Sequence, residues 1–263
     1  MECAAINLPI YESLQERYLN FMNQSTVQHF IGAGGTVTIA AEARDLHQVN
    51  ALALAGHRHF AEKYWQESEK KYVHPHNLHL HYFGVLQSNK IRRIMQHFHH
   101  IEGIASKRQA DIVARLLREE PESLKTQKFF VQLNIGKEPS KNGIAPEIAP
   151  DLIEHCLILN LPLTGLMTIP PKADAPAPHF NALRKLADHY GLPHCQMGFS
   201  NDYAIAIDCG ATHIRIGTAI WGEKYPAGYK SMMAPAAFTQ ESSAVVTQKS
   251  SVVVTQKSSF MAT

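Results

Sequence analysis

The chain has 263 residues, of which 45% are hydrophobic and 18% are charged, values typical of a globular protein with a sizeable core. A formal net charge of +2 argues against nucleic acid or an anionic membrane as a partner. No apolar run approaches the roughly 20 residues that cross a bilayer, and the N-terminus lacks a signal-peptide pattern. Four scattered cysteines form no CxxC pair, which favours reduced thiols in a cytosol. We expect a soluble, cytoplasmic, monomeric protein.

The N-terminal segment, residues 1–30, is predicted to be helical and to pack on the rest of the fold. Apolar residues recur at helical spacing between Ile10 and Phe30. The glycine-rich stretch 32–35 precedes a strand-like run, whereas a phosphate-binding loop follows a strand and opens a helix. We therefore interpret these glycines as a turn.

Strand-like and helix-like segments alternate through residues 31–224. The clearest helix is Leu46–Ala55, where Asp45 and Gln48 have capping-box spacing. The alternation predicts a parallel (β/α)8 TIM barrel over 31–224, with an open doubly wound sheet as the alternative. The predicted strands are Thr36–Ala41, Arg58–Ala61, Leu78–Phe83, His100–Ile104, Lys128–Asn134, Leu163–Ile169, His194–Phe199 and Thr212–Ile216.

Residues 225–263 differ in kind from the rest of the chain. They contain a tandem octapeptide, AVVTQKSS at Ala244–Ser251 and VVVTQKSS at Val252–Ser259. Repetition of Ser, Thr, Gln and Lys is typical of a low-complexity segment that cannot bury a core. We predict a disordered tail, and the valines leave an edge hairpin or an interaction segment as open alternatives.

Histidines are frequent and cluster at 74–81 and 97–100. His79 and His81 alternate along a predicted strand, and we expect the other clustered histidines in loops or on helix surfaces. Zinc sites need convergent ligands, often at helical spacing and with cysteine or a carboxylate. We therefore predict no metal site.

The carboxyl ends of the seventh and eighth predicted strands carry residues suited to an anion. Barrels of this kind often hold phosphate groups there. Ser200 is expected to donate its hydroxyl to an anion while capping the next helix. The amides of Gly217 and Thr218 can point at phosphate oxygens, and Arg215 offers a fixed positive charge. This pattern predicts a small phosphorylated ligand; the alternative is a simple N-cap at Ser200 and a packing role for Gly217.

Several blocks resemble the pyridoxal-phosphate homeostasis family, whose barrel is similar to the N-terminal domain of alanine racemase. The most specific are HYFGVLQSNK at His81–Lys90 and RIGTAIWG at Arg215–Gly222. Further blocks follow in family order at 60–67, 132–135, 140–144, 165–170 and 198–202. The resemblance implies a (β/α)8 barrel of the alanine racemase N-terminal type with an extra N-terminal helix, and pyridoxal 5'-phosphate as cofactor.

The same resemblance assigns roles to individual residues. It implies that Ser200, Gly217 and Thr218 hold the cofactor phosphate. It also implies that Arg215 faces the pyridine nitrogen, where a permanently charged arginine keeps that nitrogen unprotonated and weakens the ring as an electron sink. Met167 is placed near the ring by the resemblance, and an ordinary core methionine is the alternative.

The chain departs from the family at the lysine that attaches the cofactor covalently. Counting back without gaps from the 60–67 block places that lysine at Glu42. A carboxylate has no amine, and Arg44, where the family often has a second lysine, is too basic to condense with an aldehyde. The family asparagine at the end of the second strand is replaced by Lys63.

Three functions are compatible with these changes. We predict a homeostasis-type protein that binds pyridoxal 5'-phosphate weakly or non-covalently, without independent catalysis, and in which Glu42 and Lys63 can form an ion pair across the pocket floor. The alternative is a racemase-like enzyme whose Schiff-base lysine has moved to Lys63. Racemisation needs an opposing acid or base from a second domain, however, and only the tail is expected after Gly222. A third possibility is a lost pocket and a scaffold that acts through the tail.

Overall fold

The computed structural model describes residues 8–72, 77–124, 127–139, 141–171 and 174–222. Within these residues eight parallel strands close into a barrel in sequence order, and the last strand pairs with the first. Closure confirms the predicted (β/α)8 barrel and rules out the open doubly wound sheet, which would leave two unpaired edges. The predicted tail, 225–263, with both octapeptides, lies outside the described residues.

Each observed strand begins and ends within three residues of its prediction. The runs are almost continuously buried because one face of each strand lines the barrel interior and the other packs against helices. The strands are β1 (Thr36–Ala40), β2 (His59–Glu62), β3 (His79–Tyr82), β4 (His100–Ile104), β5 (Lys128–Leu133), β6 (Leu163–Thr168), β7 (His194–Gln196) and β8 (His213–Ile216).

The helices surround the barrel, and the capping box predicted at Asp45 and Gln48 is present at the start of the third helix. No helix in the described part of the chain is long and apolar enough to span a bilayer. The helices are α1 (Leu8–Met22), α2 (Ser25–Gly32), α3 (Leu46–Leu54), α4 (Trp65–Lys71), α5 (Ile91–His97), α6 (Lys107–Glu119), α7 (Pro121–Leu124), α8 (Ala149–Ile158), α9 (Pro176–His189), α10 (Tyr203–Asp208) and α11 (Thr218–Trp221).

The predicted N-terminal helical segment is two helices rather than one. Gln24 has an extended backbone, with ψ at 136°, and this residue separates α1 from α2. After the break, α2 buries Val27 and Phe30 in the core. Helix α1 contacts α3 and α11, and Arg17 Nε donates a hydrogen bond to the Ile220 carbonyl at 2.8 Å.

Candidate functional site

Parallel closure brings the predicted site residues to one end of the barrel. Glu42 follows β1, Lys63 follows β2, Ser200 follows β7 and Gly217 follows β8. The carboxyl ends of parallel strands share one rim, and active sites of such barrels lie there. We call this end the C-terminal rim.

Ser200 is tied to the turn after β8. Its Oγ accepts hydrogen bonds from the Gly217 amide at 3.1 Å and the Ala219 amide at 3.3 Å. Both acceptor positions of the hydroxyl are thus in use, which leaves its proton to be donated to a ligand oxygen. Thr218 lies exposed between the two amides, at the start of α11.

The prediction that Ser200 caps the following helix is wrong. Helix α10 has Asp202 at its N-cap, with no side-chain capping bond. Gly198 explains the different position of the serine: its φ is +92°, and a Cβ there would lie 2.6 Å from the Ala206 Cβ. The turn at Gly198 brings the chain to β8, where the Gly198 carbonyl accepts a hydrogen bond from the Arg215 amide at 2.9 Å.

Arg215 lies inside the barrel, on β8, with only 2% of its surface exposed. Its Nη2 donates to Glu102 on β4, and its guanidinium carbon lies 4.2 Å from the ring centre of Phe83. Within the described residues, Nε and Nη1 are buried and have no hydrogen-bond partner. Because a buried guanidinium always carries its charge and donors, two unpaired nitrogens mark a place for an acceptor from a ligand or water.

The wall beside Arg215 carries further unpaired polar groups. Thr38 on β1 is the strand neighbour of Arg215, and Gln196 on β7 is the strand neighbour of His213. Both Thr38 and Gln196 are fully buried. Within the described chain, the Thr38 hydroxyl and the Gln196 side-chain oxygen and nitrogen have no hydrogen-bond partner. Met167, fully buried on β6, is the strand neighbour of Gln196.

Glu102, which the sequence analysis did not identify, is fully buried opposite Arg215. Its second oxygen lies 2.8 Å from His81 Nδ1 on β3. Burial raises the pKa of Glu102, and the Arg215 charge opposes this rise. The sequence did carry a period-two signal: Glu102 comes two residues after His100, and Arg215 comes two residues after His213, so each pair lies on one face of its strand.

Histidines fill much of the barrel interior. The rings of His81 and His100 stack at 3.9 Å between centroids, and the rings of His194 and His213 meet edge to face at 4.9 Å. The expectation of loop or helix-surface positions is therefore wrong for His100, which is buried on β4. Among the described residues no group of His, Cys, Asp or Glu side chains is placed to hold a metal ion; residues 74 and 76 lie outside that set.

Burial keeps these imidazoles neutral. It lowers the pKa of His213 to about 3 and that of His59 to about 4, with neighbouring histidines adding to the effect. The pKa of His81 is lowered well below its ordinary value by burial and by the charges of His59, His213 and Arg215. In the described part of the barrel interior, the permanently charged Arg215 thus lies among neutral imidazole rings and beside the Glu102 carboxyl group.

Glu42 is half-buried at the first turn beyond β1. The Arg44 amide donates to the Ala41 carbonyl at 3.1 Å, and Ala43 has φ of 60°, so the chain turns sharply at this point. The buried Lys71 ammonium also donates to the Ala41 carbonyl, at 2.8 Å. The Arg44 guanidinium lies 5.2 Å from the centre of the Trp221 ring in α11, which links this turn to the turn that holds Ser200.

Lys63 is exposed on the same rim. Its Nζ lies 5.6 Å from the ring centre of the adjacent Tyr64. A Cβ on Gly84 would lie 2.0 Å from the Lys63 carbonyl oxygen, so the ends of β2 and β3 approach closely only because residue 84 is glycine.

The sequence matches the family model of the alanine racemase N-terminal domain over residues 39–225, a range that runs from within β1 to beyond Gly217 and Thr218. The pyridoxal phosphate homeostasis protein of Pseudomonas aeruginosa is 39% identical over 193 residues, which cover 70% of this chain and 80% of that protein. The protein of the same name from Haemophilus influenzae is 34% identical over 219 residues, which cover 77% and 87%.

Solved structures give the same picture of the fold. PipY of Synechococcus elongatus without PLP superposes with a TM-score of 0.70 at 26% identity, covering 80% of this chain and all of that one. PipY with PLP bound superposes with a TM-score of 0.66 at 24% identity and equal coverage.

Proposed function

The chain belongs to the pyridoxal phosphate homeostasis family, with the barrel of the alanine racemase N-terminal domain, and we propose that it binds pyridoxal 5'-phosphate non-covalently at the C-terminal rim. Its role in this proposal is to hold the cofactor rather than to catalyse a reaction of its own. The name of its relatives and the PLP-bound form of PipY support this cofactor.

One observation carries the proposal: Arg215 is buried, and two of its nitrogens have no hydrogen-bond partner among the residues that the structure describes. A neutral pyridine nitrogen is an acceptor and fits such a donor, whereas a protonated one would repel the guanidinium. Pyridoxal 5'-phosphate, when bound, supplies an aldehyde and a conjugated ring that serves as an electron sink. Because Arg215 cannot give up its proton, it holds the ring nitrogen unprotonated, which suits storage better than turnover.

The phosphate end of the ligand fits the turn after β8. The Ser200 proton is available once Oγ has accepted the Gly217 and Ala219 amides. Glu42 places a carboxylate on the same rim, which lowers the affinity for a phosphate dianion and provides no amine for attachment. We therefore propose weak, non-covalent binding.

The test compares three ligands with the purified full chain. Pyridoxal 5'-phosphate and pyridoxamine 5'-phosphate, which lacks the aldehyde, should both raise the melting temperature in a saturable way, and unphosphorylated pyridoxal should do so less. Borohydride treatment followed by peptide mapping should find no modified lysine. A modified Lys63 would instead support the racemase-like alternative, and no stabilisation by either phosphate ester would mean that the pocket is lost.

Two substitutions at one position sharpen this test. Glu42→Lys should give a borohydride-stable adduct at residue 42, and Glu42→Gln should bind both phosphate esters more tightly than the natural chain without any adduct. The matched Gln variant separates the loss of negative charge from the gain of an amine. Failure of Glu42→Lys to form an adduct, in a variant that still binds pyridoxamine 5'-phosphate, would contradict the position assigned to Glu42.

A further inference from the structure

A line of hydrogen-bonded side chains crosses the barrel interior below the C-terminal rim. Arg215 Nη2 donates to one oxygen of Glu102, and the other oxygen lies 2.8 Å from His81 Nδ1. His81 Nε2 lies 3.1 Å from His59 Nδ1. We call these four residues the relay.

The relay runs from the rim-facing arginine toward the opposite mouth of the barrel. His59 begins β2 and is half-buried, and its ring stacks at 4.7 Å on exposed His79, which begins β3. Glu102 and His81 are fully buried. One end of the relay therefore lies near solvent, and the other lies at the proposed ligand site.

We propose that Glu102 and His81 position Arg215 for its ligand, and that every shared proton of the relay is donated toward the Glu102 carboxylate. Arg215 can only donate, so one oxygen of Glu102 must accept. If Glu102 is an anion, His81 must donate from Nδ1 and accept at Nε2. His59 then donates from Nδ1. Both rings are thus held in the Nδ1–H tautomer.

The reverse polarity is the competing arrangement. A protonated Glu102 would donate to His81 Nδ1, and His81 would then carry its proton on Nε2. Burial raises the pKa of Glu102 and so favours this arrangement, but the adjoining Arg215 charge stabilises the anion, and a neutral Glu102 would leave the buried guanidinium without the counter-charge of its hydrogen-bond partner. A cationic His81 is disfavoured as well, since His100 stacks on it at 3.9 Å and Arg215 and His213 also face it.

The relay has a consequence for ligand recognition. Glu102 engages only Nη2, which fixes the guanidinium plane and leaves Nε and Nη1 for an acceptor. The neutral His81 holds the carboxylate in turn. Glu102 and His81 act through Arg215 and do not touch the ligand themselves.

The first test needs no ligand and reports tautomers directly. The full chain, with 15N-labelled histidine, is studied by long-range 1H–15N correlation near neutral pH. We expect His81 and His59 to give signals of the Nδ1–H form; the His59 signal should disappear in His59→Gln, and the His81 signal should shift. His189→Gln, at an exposed histidine, should change neither signal. A wild-type spectrum in which His81 is Nε2–H or doubly protonated would overturn the proposal.

The second test measures positioning, and this part alone rests on the proposed function. Glu102→Gln should weaken binding of pyridoxamine 5'-phosphate by about tenfold or more, the usual effect of losing a hydrogen bond to a charged group. Inorganic phosphate should bind as before, because the substitution does not touch Ser200 or the turn after β8. Glu119→Gln, an exposed carboxylate on α6, is the matched control.

The outcomes separate the two ideas. If a folded Glu102→Gln variant loses affinity for pyridoxamine 5'-phosphate and for inorganic phosphate to the same extent, the positioning role is overturned, because a general disruption of the site would explain both losses. If the natural chain binds neither phosphate ester, the proposed function fails, while the histidine spectrum still decides the polarity of the relay.

Discussion

Removing the ammonium group of Lys71 should destabilise the fold strongly and should disturb the turn that carries Glu42. Lys71 Nζ lies 2.6 Å from Glu62 Oε1 and 2.8 Å from the Ala41 carbonyl. The side chains of Lys71 and Glu62 are 8% and 0% exposed. Lys71→Met would leave Glu62 buried with Tyr72 as its remaining hydrogen-bond partner among the described residues.

The expected cost follows from that burial. Breaking a buried pair while leaving one charge in place costs about 3–5 kcal/mol, whereas exposed pairs contribute less than about 1 kcal/mol. Lys107 and Asp151 form an exposed pair at 2.7 Å, with side chains 48% and 69% exposed, so Lys107→Met is the matched control. The double variant Glu62→Gln with Lys71→Met should regain part of the loss.

The loss should also depend on pH. Burial already raises the pKa of Glu62 above its ordinary 4.5, and Lys71 opposes the rise, so removing Lys71 raises this pKa further. An acid with a raised pKa in the folded state is neutral in both states at low pH. The penalty in Lys71→Met is therefore small below pH 4.5 and grows as pH rises through the folded-state pKa of Glu62.

Urea unfolding, followed by circular dichroism across this pH range, measures the free energy of unfolding for each variant. We expect the deficit of Lys71→Met to exceed that of Lys107→Met several-fold at pH 8 and to shrink in acid. Equal deficits for the two variants, or a Lys71→Met deficit independent of pH, would refute the assignment of a buried charge pair.

Two further predictions concern stability. Burial lowers the pKa of His57 to about 4, so the neutral imidazole contributes about 3 kcal/mol to the free energy of unfolding above pH 6.5, and this contribution is lost as pH falls toward 4. His57→Gln should therefore flatten the fall of stability in acid, and an unchanged dependence of stability on pH would contradict the assignment. Asp45→Ala should cost about 1 kcal/mol by removing the 2.8 Å bond from the Gln48 amide, and Asp45→Asn, which can still accept it, should restore most of the melting temperature.

Much of the fold was predictable because its signals are local. Apolar runs of strand length, separated by capped helices, located all eight strands to within three residues. The break between α1 and α2 was missed because no proline or glycine marks it; the extended backbone of Gln24 precedes the helix that buries Val27 and Phe30.

The candidate site was only partly predictable. The placement of Glu42, Lys63, Ser200 and Gly217 after their strands follows from chain order and parallel topology. The pairing of Glu102 with Arg215 does not, because 113 residues separate them in the chain. The alternation of polar with apolar residues along β4 and β8 was visible in the sequence, yet alternation alone does not say which face of a strand lines the interior.

The amino-acid sequence by itself determined the number and order of the β/α units, the family blocks and the absence of an amine at position 42, since these depend on nearest neighbours along the chain. Only the tertiary structure decided that Arg215 is buried against Glu102, with two nitrogens that find no partner in the described chain, and that His81 and His59 continue the hydrogen-bonded line. Barrel closure is the physical reason, because it brings side chains from β2, β3, β4 and β8 together across an interior from which water is largely excluded.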